Sequence, residues 1–220
     1  MPPRKLYDDE LKDLSSALIR MGTAAIDAVT RAMQALKTFD KALSKEIIED
    51  DAYINAMERD IETMCLKLIL KQQPVAGDLR KISTAIKMIT DIERIGDAAS
   101  DIAQISLYHD SFNFPELQDK VLSMAVAAKE MVADAIDAYV KGDLELALKT
   151  IDKDDVVDDY FLKIRGELGS NIYKDKMDMD TVIDYLMIIK YLERVGDHAV
   201  NICEWVQFYV TGIHYNERII

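Results

Sequence analysis

Glu93-Arg94-Ile95-Gly96-Asp97 returns as Glu193-Arg194-Val195-Gly196-Asp197, one hundred residues further along the chain. Two copies of one acidic segment at that distance predict an internal duplication. Within each copy the acids stand four residues apart, so on a helix they share a face. Asp101 continues the first face and Asn201 the second. Like charges at this spacing repel and weaken a helix, and a cation is the simplest compensation. The alternative reading is a solvated acidic face. The glycine between the acids argues against it, because an interior helical Gly costs about 1 kcal/mol relative to Ala. Its recurrence predicts a second helix passing close beside the acids.

Outward from this motif the chain reads as six long helices. Apolar residues recur at helical spacing from Leu6 to about Lys37, through Leu11, Leu14, Leu18, Met21, Ala25, Ala28, Val29, Ala32 and Leu36. Thr38-Phe39-Asp40 reads as a turn with Asp40 capping a second helix, from about Lys41 to Lys71. Gln73-Pro74-Val75-Ala76-Gly77-Asp78 breaks the pattern, with Asp78 as cap of a third helix ending near Tyr108. Asn113-Phe114-Pro115-Glu116 resembles a capping box with Pro at the first helical position. The second half then repeats the plan: a helix from about Pro115 to Val140, a stop and cap at Lys141-Gly142-Asp143, a helix to Tyr173, a turn over Lys174 to Asp180, and a last helix from Thr181 to Val210. The reading is all-α, a tandem repeat of two three-helix bundles in six antiparallel helices. Residues 1–110 form the first and 111–220 the second, hinged near His109 to Pro115. Ala25-Ile26-Asp27-Ala28 matches Ala135-Ile136-Asp137-Ala138, Asp40 matches Asp143, and Asp51 matches Asp154.

On a wheel of 100° per residue, Asp97 lies about 40° and Asp101 about 80° from Glu93, while Met88, Ile89, Ile92, Gly96 and Ala99 lie on the other side. The acids therefore rim the apolar stripe instead of opposing it. The preceding helix offers Asp51, Asn55, Glu58 and Glu62 along one strip, with Asp154, Asp158, Phe161 and Arg165 as their counterparts. Across each hairpin this predicts two oxygen-rich sites. Asp51, Asn55, Glu93, Asp97 and Asp101 make the first, and Asp154, Asp158, Glu193, Asp197 and Asn201 the second. Such donors suit magnesium, manganese or iron. Arg94 and Arg194 read as surface ion-pair partners, and His198 has Ala98 as its counterpart, against a shared ligand role. Tyr185, Tyr191 and Trp205 read as packing and rim residues.

Composition narrows the function. Lys and Arg total 27 against 40 Asp and Glu, a formal charge of -13. That balance disfavours nucleic acid and polybasic membrane contact, and suits cations or a basic partner. No apolar run is long enough to span a bilayer, and Met1-Pro2-Pro3-Arg4-Lys5 does not open a signal peptide. Cys65 and Cys203 lack CxxC spacing and do not correspond in the repeat, so they read as buried thiols in a reducing cytosol.

At these residues the sequence resembles the PhoU family of phosphate-transport accessory and regulatory proteins. The resemblance rests on Ile92 to Asp97, Leu192 to Ile202, Gln73 to Arg80 and the tandem layout. It implies two three-helix bundles whose paired E(D)xxxD motifs hold multinuclear clusters of iron or other metal ions; manganese, magnesium and zinc are the other candidates. Those motifs match Glu93 with Asp97, Glu193 with Asp197, and Asp154 with Asp158, whereas Asp51 with Asn55 departs by an amide. It also implies a noncatalytic cytoplasmic regulator, a homodimer with no membrane insertion. That regulator links the ATPase of a phosphate ABC transporter to a sensor histidine kinase and represses phosphate-starvation genes when phosphate is plentiful.

Two other functions compete. A di-metal carboxylate enzyme of the bundle type needs Glu-x-x-His motifs, and none of His109, His198 and His214 has a Glu three residues earlier. A metal-free structural helical protein is the other.

Overall fold

The computed structural model describes residues 3–72, 74, 76–111, 114–173, 177–214 and 217–218. Seven helices run through them: α1 Pro3–Thr38, α2 Lys41–Gln72, α3 Ala76–Leu107, α4 Pro115–Lys141, α5 Leu144–Asp152, α6 Asp154–Tyr173 and α7 Met179–Thr211. The expected fifth helix is thus α5 and α6, separated only by a tightened turn at Lys153, whose N–H bonds Thr150 O while Val156 N bonds Lys153 O. A two-residue β-ladder, Ile213–His214 with Glu217–Arg218, follows α7.

Local chemistry sets most boundaries. Asp40 Oδ1 accepts from Ala42 N and Leu43 N at 3.0 Å, and Asp143 Oδ1 from Leu146 N at 3.0 Å. Gly142 and Gly212 end α4 and α7 with φ of 65° and 75°, in the left-handed region that glycine enters without steric cost. Asp78, the expected cap of α3, lies inside its first turn. α7 begins at Met179, two residues before the expected Thr181, and is capped by Asp178, which accepts from Thr181 N at 2.9 Å. At α4, Pro115 does hold the first position, but the cap residue is Phe114 without a side-chain bond. Asn113, the expected cap, and Lys174 to Lys176 of the expected turn lie outside the described residues.

Helices α1 to α3 form one bundle and α4 to α7 the other, and all nine apolar positions picked from α1 are buried. The halves do not stand apart on a hinge. α3 packs along α7 and α1 against α4, and one buried apolar cluster runs through both halves. The seam also carries polar ties. Tyr139 Oη donates to Lys81 O at 3.2 Å, Arg80 Nε to Tyr209 O at 3.1 Å and Thr84 Oγ1 to Trp205 O at 3.2 Å. At Gly22 an added Cβ would fall 2.0 Å from Ile136 Cδ1, so the Ile136 side chain of α4 fills the space beside this glycine of α1. Among the described residues no helix is long and apolar enough to cross a membrane.

Candidate metal centre

The repeated glycine has a steric reason. A Cβ at Gly96 would stand 2.9 Å from Ile54 Cδ1 on α2, and one at Gly196 would stand 2.9 Å from Asp154 Oδ1 on α6. Removing the side chain brings each hairpin close at the level of the acids. Asp51 of α2, bonded by Asn55, then lies near Glu93 and Asp97 of α3, and Asp154 and Asp158 of α6 lie near Glu193 and Asp197 of α7.

The electrostatics record this meeting. Burial raises the Asp51 carboxyl above its ordinary range, and the charges of Asp97 and Asp101 raise it further. Glu93 is raised by burial and by Asp97, with Glu58 and Asp51 adding to the effect. In the second half Asp154 is pushed up to about 6, first by burial and then by Asp158, Asp197 and Glu193. Burial and Glu193 raise Asp197 as well. Carboxylates drawn from two helices therefore repel one another in each half, at the interface of solvent and core.

Four buried acceptor oxygens here have no hydrogen-bond donor among the described residues: Asp51 Oδ1, Asn55 Oδ1, Glu93 Oε2 and Asp154 Oδ1. Buried acceptors without donors are costly. Three belong to the first half and one to the second, each at a position selected from the sequence. Acceptor-only oxygens crowded by negative charge are the donor set of hard cations such as magnesium, manganese or iron. The residues thus fit a metal chemically. They are not preassembled ligands, since among the described residues no three His, Cys, Asp or Glu side chains are grouped to hold one ion. Neighbouring donors engage them instead. Arg94 Nη1 bonds Asp97 Oδ2 at 2.8 Å and Arg94 Nε stands 3.4 Å from Glu93 Oε2 without hydrogen-bond geometry. Asn55 Nδ2 donates to Asp51 Oδ2 at 3.0 Å, and Lys190 Nζ pairs with Glu193 Oε2.

The third member of each α3 or α7 face turns toward the seam. Asn201 Nδ2 donates to Asp91 Oδ1 at 3.1 Å, and His198 Nδ1 stands 2.9 Å from the same oxygen. In the equivalent place across the pseudo-symmetric seam, Asp101 faces Tyr191, whose hydroxyl is raised by burial and then by Asp101. Asp101 still adds its charge to Asp51, whereas Asn201 is occupied at the seam. Asp91 was not among the expected residues. It precedes the motif by two positions, and only the docking of α3 on α7 shows that it binds His198 and Asn201.

Of the remaining residues, Tyr185 is fully buried, and Trp205 lies edge-on to Phe208 at 5.9 Å with Lys87 above it at 5.6 Å. Cys65 and Cys203 are free and buried, and burial pushes both thiols up to about 12, so neither supplies a thiolate at neutral pH.

Comparison with known proteins bears on what these sites belong to. The PhoU domain model matches twice, at residues 18–106 and 121–206. The phosphate-specific transport system accessory protein PhoU homolog of Clostridium acetobutylicum is 36% identical over 210 residues, covering 95% of this chain and 96% of that protein. The PhoU accessory protein of Escherichia coli is 31% identical over 206 residues, covering 94% and 86%. Among solved structures, PhoU from Pseudomonas aeruginosa superposes with a TM-score of 0.87 at 34% identity, covering 94% of this chain and all of that one. The phosphate transport system regulatory protein PhoU from Streptococcus pneumoniae gives 0.85 at 27%, covering 97% and 99%.

Proposed function

The chain belongs to the PhoU family, whose members are accessory proteins of phosphate transport and not enzymes, and from that premise we propose that it is a metal-binding regulatory adaptor of phosphate uptake. In this reading it links the ATPase of a phosphate ABC transporter to a sensor histidine kinase. It represses the starvation response when phosphate is plentiful, and it works in the cytoplasm as a homodimer. Each half, 1–110 and 111–220, carries one metal site. Asp51, Asn55, Glu93, Asp97 and Asp101 hold the first; Asp154, Asp158, Glu193 and Asp197 hold the second, with Asn201 contributing its free carbonyl oxygen.

The observation carrying the metal reading is that buried acceptor oxygens without donors occur at equivalent positions of both halves, Asp51 Oδ1 and Asp154 Oδ1. A hard cation supplies these sites with positive charge and a shared ligand for carboxylates that otherwise repel. The adaptor reading is supported by the relatives, which are phosphate-specific transport system accessory proteins. A formal charge of -13 gives the chain no purchase on an anionic bilayer, so membrane residence comes through protein contacts. A bound cation changes the charge that a basic partner meets, which makes partner binding metal-dependent and weaker at high salt.

The test is co-purification with the transporter ATPase and with the kinase, each with and without chelator over a salt series. Retention of both partners that falls with chelator and with salt is expected. Retention of neither partner, or tight binding to protein-free anionic vesicles, refutes the adaptor.

A further inference from the structure

The two sites share a motif, yet the chain neutralises them unequally. In the first half each acid already has an internal donor or cation nearby. Asn55 donates to Asp51, Arg94 bonds Asp97 at 2.8 Å, and the same guanidinium stands 3.4 Å from Glu93. Arg94 therefore sits across both acids of its motif. In the second half Asp158 replaces Asn55, which removes an amide donor and adds a carboxylate. Arg194 does not repeat the arrangement: among the described residues it makes no ion pair within 4.0 Å, and neither do Asp154 and Asp197. Lys190 pairs with Glu193 and, with His198, lends its charge to Asp197 without an ion pair, and it is held over the Phe161 ring at 5.7 Å. Its counterpart Thr90 instead donates to Glu58 at 3.2 Å, and Glu58 has no acidic equivalent in the second half.

Resting on the metal reading above, we propose that Arg94 is a tethered counter-ion of the first site. It competes with an incoming cation, so that the second-half site fills first. The first fills only as Arg94 swings away. Its side chain is half-exposed, at 50%, and long enough to leave the acids without disturbing the core. A cation entering the first site must displace two guanidinium contacts and turn the Asn55 amide from Asp51. A cation entering the second displaces only Lys190 from Glu193. Exposed ion pairs are individually weak, so displacing two of them lowers affinity by roughly three- to tenfold. The outcome is graded occupancy: the chain passes through a half-loaded state as metal rises, from one duplicated motif.

The experiment titrates the full chain, stripped of metal by chelator and dialysis, with manganese(II), following free ion by electron paramagnetic resonance. Wild type is compared with Arg94→Gln, Arg194→Gln, Asp97→Asn and Asp197→Asn. Two classes of binding are expected in wild type. Asp197→Asn removes the tighter and Asp97→Asn the weaker. Arg94→Gln tightens the weaker class roughly three- to tenfold and leaves the tighter within about twofold. Arg194→Gln, which removes the same formal charge, moves neither class beyond about twofold. The proposal is overturned if Arg94→Gln leaves the weaker class unchanged or loosens it, if Asp97→Asn removes the tighter class, or if the two halves bind equally. Equal binding leaves the metal reading standing. Absence of saturable manganese in wild type overturns both.

Discussion

Replacing Asp154 by Asn sets stability against metal binding in one measurement. The ordinary Asp carboxyl titrates at 3.8, and in the fold Asp154 is pushed up to about 6 by burial and by Asp158, Asp197 and Glu193. Between those values the folded chain keeps a proton that the unfolded chain has released. Stability therefore falls as pH rises through this window and stays reduced above about 6, the reverse of a salt-bridged Asp. At 1.36 kcal/mol per pH unit the full gap is about 3 kcal/mol. Two effects reduce it. The carboxyl is partly open to solvent, which screens the repulsion. It also stands in the first turn of α6, where the helix dipole favours negative charge by about 0.3–1 kcal/mol. About 1 kcal/mol remains, so in chelator at pH 7.5 Asp154→Asn raises Tm by about 2–4 °C. At pH 5 the gain drops to about half, because folded wild type is by then largely protonated. Excess manganese reverses the order. A ligand at a hundredfold over its Kd stabilises the folded state by about 2.7 kcal/mol, and the variant forgoes most of that at its second site. Differential scanning calorimetry at the two pH values, with chelator and with manganese, reads all four conditions. A variant less stable than wild type in chelator at pH 7.5, or a gain independent of pH, would refute this account of Asp154.

Asp97→Ala is expected to remove cation binding from the first half and leave the second intact, measured as metal bound per chain after gel filtration; unchanged metal content would reduce the first acids to a solvated face. Gly96→Ala places a Cβ 2.9 Å from Ile54 Cδ1, and overpacking of about 1–3 kcal/mol exceeds the ~1 kcal/mol gained in helix propensity, so urea denaturation should show net loss. Tyr139→Phe removes the bond to Lys81 O across the seam and should cost about 1 kcal/mol. If the halves unfold as one unit, through their shared core, it lowers a single transition; two separate transitions would mean the seam does not couple them.

The sequence alone carried the helices, their duplication and the acids that each half draws together. Those readings depend on information close in the chain. Leu14, Leu18, Met21, Ala25 and Val29 mark a buried face by spacing, Asp40 and Asp143 mark caps by their short side chains, and Gly96 with Gly196 marks a close approach because it recurs beside acids. The start of α7, two residues before the expected Thr181, was harder to read, since Asp178 and Asp180 can both cap it and only backbone geometry selects one. What tertiary structure alone decided concerns relations between the halves. The seam of α3 on α7 makes one core from two repeats, draws Asn201 and His198 to Asp91, and sets Asp101 opposite Tyr191. It also decides that Arg94 folds across its acids while Arg194 does not. Periodicity names the face on which a residue lies. It carries no information on which distant helix meets that face, because that choice is made by packing among segments a hundred residues apart.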